Sequence, residues 1–255
     1  MNRRNVLLAL TALGCCAAAH AELYDVTMEP YGAGKRQRVS ANGSFAWDYS
    51  SGDELYHNVR AVEHLWLEEG ALDPIYTHCV EIYQSVIPET QYTFESTAIE
   101  NVPQRPNSSW PGEMGAVRAQ LVEDLYANYI NPFTGGVYST DIDPGLDLDD
   151  YGAAFQLMLW EITHENFAEG ADASEMASQI SFDLGAIQSE ADSSVLTVLN
   201  DMFATLNDGA FDSANLEGWT NPSAQDQSRL IVVPGAGTLA GLAFLIPMTR
   251  RRRRA

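Results

Sequence analysis

The spacing of apolar residues changes part-way along the chain, near residue 115. Before that point, short segments rich in β-branched and aromatic residues, bounded by Gly, Pro and Asn, predict strands at 23–28, 44–47, 79–87 and 92–95. After it, apolar residues recur at helical spacing and predict helices over 116–129, 150–165 and 189–206. There is no internal repeat and no βαβ alternation. The sequence therefore predicts an α+β fold, with a β-rich N-terminal part and a helical subdomain in a single domain.

Shorter signals complete this outline. The proline-rich segment 101–112 predicts a loop between the two parts. Ile180, Phe182 and Leu184 alternate as in a strand that ends at Gly185, and another strand is predicted at 229–233. Asp149 or Asp150 is the predicted cap of the second helix. The helical part is thus expected to contain a strand between its second and third helices.

The charge of the chain is uneven. It has 14 Lys and Arg against 35 Asp and Glu, a net charge of −21 over 255 residues. Seven of the cations lie at the two ends, so residues 22–231 hold 7 cations and all 35 anions. A body this acidic repels phosphate backbones, which argues against nucleic-acid binding. With 45% hydrophobic and 10% aromatic residues it can still bury a core.

Residues 1–21 have the pattern of an export signal. Arg3 and Arg4 precede an apolar stretch, and Ala19-His20-Ala21 forms a small-x-small cleavage site before Glu22. A buried N-terminal helix is the alternative. Lipidation at Cys15 or Cys16 would require a lipoprotein box that the sequence matches poorly. The predicted exported domain therefore begins at Glu22 and extends to Ile231.

Residues 232–255 join a Val-Pro-Gly-Ala motif, a short apolar segment and five arginines. The apolar segment is shorter than the ~20 residues of a comfortable membrane span, and the arginines favour a cytoplasmic position. This arrangement resembles the PEP-CTERM sorting signal of Gram-negative bacteria, which implies processing by an exosortase-like enzyme. The alternative is a plain membrane anchor. Both place the body outside the cytoplasm. With the sorting signal, the body is expected on the cell surface or in the matrix of a Gram-negative-type bacterium, after transient attachment to the inner membrane through 232–255.

Of the three cysteines, two lie in the predicted signal peptide, so the exported body has one, Cys79. A single thiol is unusual in a compartment that oxidises cysteines. The residues alone leave four possibilities open: an inert buried cysteine, an intermolecular disulfide, a catalytic nucleophile, or a thiol consumed within its own chain.

Gln156 is the second anomaly, because it lies inside the apolar run 153–162. An amide in such surroundings is expected to be at least partly buried, where unpaired polar atoms cost roughly 1–3 kcal/mol. Backbone groups can satisfy the amide, or a covalent bond can consume it.

The sequences around Cys79 and Gln156, taken together, resemble those of a known family. A strand with Tyr76 and Cys79, followed by Phe-Gln-x-x-apolar-Trp-Glu-Ile at 155–162, is similar to the bacterial thioester domains of surface adhesins. The resemblance extends over about 79–206, and the segment 221–227 is also typical of the family. Met158-Leu159 before Trp160 and His78 before the cysteine depart from the pattern. The resemblance implies an internal thioester between Cys79 and Gln156 in a single thioester-type domain.

That chemistry has consequences for function. The Cys79 thiolate would attack the Gln156 carbonyl and expel ammonia, and an amine or hydroxyl group on a target protein or glycan would later attack the same carbonyl. The target would become bound to Gln156 in one event per molecule, so the chain is not predicted to be an enzyme, and no cofactor is implied. Phe155, Trp160 and Tyr76 are expected to exclude water from the bond.

Other features of the sequence bear on alternative functions. The acidic segment 141–150 departs from an EF-hand loop, so a solvated helix-capping loop is favoured over a calcium site. The histidines show no paired zinc spacing. A hydrolase dyad of Cys79 with His64 or His164 is a third hypothesis, and a passive acidic surface or matrix protein without reactive chemistry is the main alternative.

Overall fold

The structure, a computed structural model, describes residues 21–41, 57–104, 112–138 and 145–232. The predicted strand at 44–47 and nearly all of the predicted signal peptide and sorting segment lie outside these residues, and so remain predictions. The strands are β1 (Leu23–Met28), β2 (Gly34–Ala41), β3 (His57–Val62), β4 (His64–Glu68), β5 (Ile75–Cys79), β6 (Gln91–Ala98), β7 (Ile187–Glu190), β8 (Leu216–Thr220) and β9 (Gln227–Leu230). The helices are α1 (Gly115–Tyr129), α2 (Leu148–His164), α3 (Ala173–Gln179) and α4 (Ser193–Leu206), with a 3-10 turn at Ile99–Asn101.

Six antiparallel strands close into a barrel in the order β1-β4-β5-β9-β8-β6. Alternate residues of β1 point into it, so Tyr24, Val26 and Met28 are buried. Aromatic rings fill much of the interior, where Trp66 lies 5.0 Å from Phe94, and Phe94 lies 5.5 Å from Trp219, between ring centroids. The barrel therefore has its own apolar core, separate from the helical core.

The remaining strands form a three-stranded sheet in the order β3-β2-β7. Helix α2 packs against this sheet and also against α1 and α4. Every residue of α2 from Asp150 to His164 is buried, which is expected for a helix with apolar residues all round. Gly152 lets α2 approach β2 closely, because a Cβ atom there would lie 2.5 Å from the carbonyl oxygen of Ala33.

The predicted α+β class is confirmed, and three of the four helices match predicted helices. The cap of α2 is Asp147, not Asp149 or Asp150, and it forms a capping box with Asp150. Among the described residues, no helix is long and apolar enough to cross a membrane.

Two predicted strands are wrong, and both errors have the same cause: a segment becomes a strand only where a neighbouring strand pairs with it. The strand predicted at 79–87 does not form: β5 covers Ile75–Cys79 and ends where the predicted strand would begin. The pairing of β9 with β5 stops at Cys79. The apolar residues Val80 and Ile82 beyond it are buried in the helical core without a strand partner. The strand predicted around 180–184 forms instead at Ile187–Glu190, where β2 provides a partner, and this pairing delays the start of α4 to Ser193.

Candidate functional site

The structure brings the two predicted site residues together. Cys79 is the last residue of β5, and Gln156 lies in the middle of α2. The Cys79 main-chain N–H donates to Gln156 Oε1 at 3.0 Å, and Gln156 Nε2 donates to the Cys79 carbonyl oxygen at 2.7 Å. The Gln156 amide is therefore held against the Cys79 main chain by a closed pair of hydrogen bonds, and both residues are buried.

The Gln156 amide is satisfied by backbone groups, which is one of the two outcomes that the sequence left open. It satisfies in return the N–H and C=O of Cys79, which would otherwise be costly to bury. The contact joins residues 77 positions apart, at the boundary between the barrel and the helical core. The end of β5 and the middle of α2 are thus held in one fixed relation.

The Cys79 thiol is free in the structure and donates to the Glu81 carbonyl oxygen at 2.9 Å. Burial raises the pKa of the Cys79 thiol well above its usual value, and the nearby charge of Glu81 raises it further. Hydrogen bonds with the Glu81 main chain and the Gln227 side chain act in the opposite direction. The thiol is thus held neutral, in the opposite state from an activated hydrolase cysteine.

One contact of this arrangement would assist formation of the thioester. The Cys79 N–H that donates to Gln156 Oε1 polarises the amide carbonyl and would stabilise negative charge on that oxygen during attack. The sulfur would have to turn from the Glu81 carbonyl towards the Gln156 carbonyl carbon. The thiol proton would leave with the amide nitrogen as ammonia, so that atoms and charge balance.

A second buried glutamine, Gln227, is paired directly opposite Cys79 on β9. Its Oε1 accepts from Thr77 Oγ1 and lies 2.9 Å from His64 Nδ1, and its Nε2 donates to the Gln225 carbonyl oxygen. The Gln227 amide is thus bonded mainly to Thr77, His64 and Gln225, and its side chain also interacts with the Cys79 thiol. Sequence reasoning did not assign Gln227 to the site, although it singled out the segment 221–227 that contains it.

The expected water-excluding residues are only partly as predicted. Phe155 and Trp160 are buried, and Trp160 lies one helical turn after Gln156 on the same side of α2. Tyr76 is half-buried, and its ring lies beside Gly136. The apolar surroundings of Gln156 therefore come mainly from α2 and the helical core.

His78, the departure from the family pattern, belongs to a buried polar cluster. Its Nδ1 lies 3.1 Å from Tyr126 Oη, and its ring centroid lies 4.4 Å from that of Phe155. Burial lowers the pKa of His78 to about 3, so the ring is neutral and its 3.7 Å approach to Glu63 Oε1 is not an ion pair. His78 thus packs against the residue that precedes Gln156 on α2.

The other histidines do not favour the hydrolase hypothesis. His64 reaches Gln227, and its pKa is lowered by burial to about 4. His164 Nδ1 lies 2.8 Å from Thr163 Oγ1 at the end of α2. Neither of these contacts is with the Cys79 sulfur, whose hydrogen goes to a carbonyl group.

The described residues of the acidic segment 141–150, which are 145–150, stabilise the start of α2. Asp147 and Asp150 form the α2 capping box, Lys35 pairs with both carboxylates, and Asp149 accepts from the Gly34 N–H. Residues 141–144 lie outside the described part of the chain. Within the part that is described, no group of three or more His, Cys, Asp or Glu side chains is placed to hold a metal ion.

Helix α2 also has a buried carboxyl group at Glu161. Both of its oxygens are buried and have no hydrogen-bond partner among the described residues. Burial raises the pKa of Glu161 well above the ordinary value of 4.5, and the charge of Glu165 adds to the rise. The unfolded chain ionises more readily than the folded one, so this residue should destabilise the fold as pH rises above about 4.5.

Replacing Glu161 by Gln is therefore expected to stabilise the protein at pH 8 by roughly 1–3 kcal/mol and to have little effect near pH 4. The measurement is urea unfolding at both pH values. Glu169→Gln, a change of an exposed glutamate just beyond α2, is the control and should leave the free energy of unfolding unchanged at both. An equal effect of Glu161→Gln at the two pH values would contradict this explanation.

Comparison of the chain with protein-family models, with curated proteins and with solved structures found no significant match. The resemblances to thioester domains and to the PEP-CTERM signal therefore rest on the sequence motifs given above. Any functional conclusion must be drawn from the residues and from the geometry of the site.

Proposed function

We propose that this chain is an exported cell-surface protein that carries an internal thioester between Cys79 and Gln156. The thioester attaches the protein covalently, once per molecule, to amine or hydroxyl groups on a target surface. The outcome is adhesion or attachment to a matrix. The observation that supports this most is the closed pair of hydrogen bonds between the Gln156 amide and the Cys79 main chain, inside a water-excluding core.

The surroundings suit a stored reactive bond. A thioester exposed to water is lost to hydrolysis, and here both partners are buried beside Phe155 and Trp160. The Cys79 N–H is already placed at the acyl oxygen, so it can assist both formation of the bond and its later opening. The raised pKa of the thiol keeps a free Cys79 protonated, so its proton has to pass to the departing amide nitrogen as the C–S bond forms.

The two termini support the same function. The signal-like segment 1–21 and the basic tail 232–255 would direct the body to the cell surface, where a covalent attachment is useful. An exosortase-like enzyme would process the tail. The strong negative charge of the body keeps it soluble and apart from nucleic acids.

A capture experiment tests this function. The purified protein is incubated with beads that carry primary amines or hydroxyl groups, and the beads are then boiled in detergent. We expect retention that survives boiling on at least one kind of bead, because only a covalent bond resists that treatment. The matched control is the same protein treated first with methylamine, which should be released completely. Release of untreated and treated protein alike would favour a passive acidic surface protein.

A further inference from the structure

The few cations of the acidic body gather on one small sheet. Residues 22–231 contain seven of them, which are Lys35, Arg36, Arg38, Arg60, Arg105, Arg118 and Arg229, against 35 anions. The first four lie on β2 and β3. Lys35 pairs with carboxylates at the start of α2, so three arginines of the sheet serve another purpose.

These three arginines share the outer face of the sheet. Side chains alternate between the two faces of a strand. Val39 of β2 and Ala61 of β3 are buried in the helical core, on the side that α2 covers. Arg36, Arg38 and Arg60 occupy the alternate positions and are exposed. The face that is turned away from α2 is therefore basic in an otherwise acidic body.

The fold does not account for two of these charges. Arg36 lies directly opposite Arg60 across β2 and β3, and like charges in this position destabilise a sheet. Among the residues that the structure describes, no carboxylate forms a salt bridge with Arg36 or Arg60, whereas Arg38 lies opposite Glu190 and pairs with it. The opposed arginines therefore favour an anion from outside the described chain.

The geometry of the pair suits a carboxylate. Residues directly opposite on antiparallel strands have Cα atoms about 4.5–5.5 Å apart, so both guanidinium groups can reach one ligand. Their planar forks of N–H donors match the two oxygens of a carboxylate. The guanidinium carbon of Arg60 lies 4.6 Å from the centroid of the Tyr31 ring, a contact that holds the group in place. Arg38 extends the basic row along β2, where it can meet a further carboxylate of the same ligand.

We propose that the outer face of the β3-β2-β7 sheet binds an acidic polysaccharide reversibly, through sugar carboxylates at Arg36, Arg60 and Arg38. This contact goes beyond covalent attachment and does not depend on the thioester.

The acidity of the rest of the body favours a polysaccharide over other anionic partners. At physiological ionic strength, charges more than about 8 Å away are largely screened. A single polysaccharide chain is thin and has at most one carboxylate per sugar, so its charges can lie over the arginines alone. A second copy of this chain would bring its own acidic surface against that of the first. Duplex DNA has one charge per ~1.7 Å and would be repelled more strongly.

Titration calorimetry with short oligomers tests this inference. Alginate oligosaccharides, in which every sugar carries a carboxylate, are titrated into the purified protein at physiological ionic strength. Dextran oligosaccharides of the same length are the neutral control, and oligoglutamate with the same number of carboxylates represents an acidic protein segment. The titrations are repeated with Cys79→Ala, which cannot form a thioester. We expect both proteins to bind alginate equally, to bind oligoglutamate at least about tenfold more weakly, and not to bind dextran.

The variants test the position of the site. Arg36→Gln/Arg60→Gln should weaken alginate binding about tenfold or more, since two charge-assisted contacts are lost. The urea midpoint of this variant should not fall, because like charges no longer face each other. Glu190→Gln should strengthen binding about twofold or more, as it removes the carboxylate that competes for Arg38. Glu100→Gln makes the same change in net charge on the exposed 3-10 turn after β6 and should leave the affinity unchanged.

Equal affinity of the wild-type protein and the double arginine variant for alginate would overturn the inference, as would the absence of binding to alginate. Equal binding of oligoglutamate and alginate would overturn the choice of a polysaccharide and indicate an acidic protein segment. A wild-type mass without loss of ammonia would overturn the thioester alone, because the proposed surface includes neither Cys79 nor Gln156.

Discussion

Replacement of Cys79 by Ala is expected to abolish every covalent property of the protein while leaving it folded. Without sulfur, ammonia cannot be expelled from Gln156, and methylamine has no thioester to open. The fold should survive because the two hydrogen bonds of the Gln156 amide are made to the main chain of residue 79, which alanine retains. The measurements are intact mass with and without methylamine, and circular dichroism.

Replacement of Gln156 by Ala should have the same effect on labelling, with a cost in stability. It leaves the Cys79 N–H and C=O without their partner, which should lower the free energy of unfolding by roughly 1–3 kcal/mol. Gln227→Ala is the discriminating control, since Gln227 is equally buried and lies opposite Cys79 on β9. Methylamine should still label Gln227→Ala wherever that variant folds. An adduct that persists in Gln156→Ala would contradict the assignment of Gln156 as the acyl donor.

Opening the bond with methylamine should lower the stability of the wild-type protein. The thioester would join residues 77 positions apart, and a cross-link of that span removes conformational entropy from the unfolded chain. By analogy with disulfides, its loss should cost about 4 kcal/mol. Urea unfolding of protein with and without methylamine treatment gives this difference directly.

Cys79→Ala provides the control for this second prediction, because it has no cross-link to lose. Its urea midpoint should be the same before and after methylamine. A wild-type midpoint that does not move on treatment would show that residues 79 and 156 are not covalently joined.

The sequence was informative where local patterns decide the structure. Apolar spacing located α1, α2 and most of α4, and β1 was found from its β-branched and aromatic residues. The sequence was uninformative where pairing with a distant strand decides whether a segment becomes a strand. β2 is rich in charged and polar residues, yet it forms the centre of the three-stranded sheet because β3 and β7 pair with it. The same pairing made β7 a strand and displaced the predicted one at 180–184.

The candidate site shows the same limit of prediction from local sequence. Cys79 and Gln156 were selected because each is unusual in its own local sequence, one as a single exported thiol and the other as an amide in an apolar run. Nothing local marks Gln227 or Asp226 as neighbours of Cys79. Both come close to it through the pairing of β5 with β9, which involves residues about 150 positions apart. His78, likewise, is accommodated in the buried site by Tyr126, a distant residue that no local pattern links to it.

Intact mass spectrometry of the purified wild-type protein tests the central claim most directly. We expect a mass lower by one ammonia than the mass calculated from the mature sequence, and no alkylation of Cys79 under denaturing conditions. Methylamine should then raise the mass by one methylamine, with the adduct at Gln156 and Cys79 newly open to alkylation. The full calculated mass, together with a Cys79 that is alkylated without methylamine treatment, would contradict the thioester.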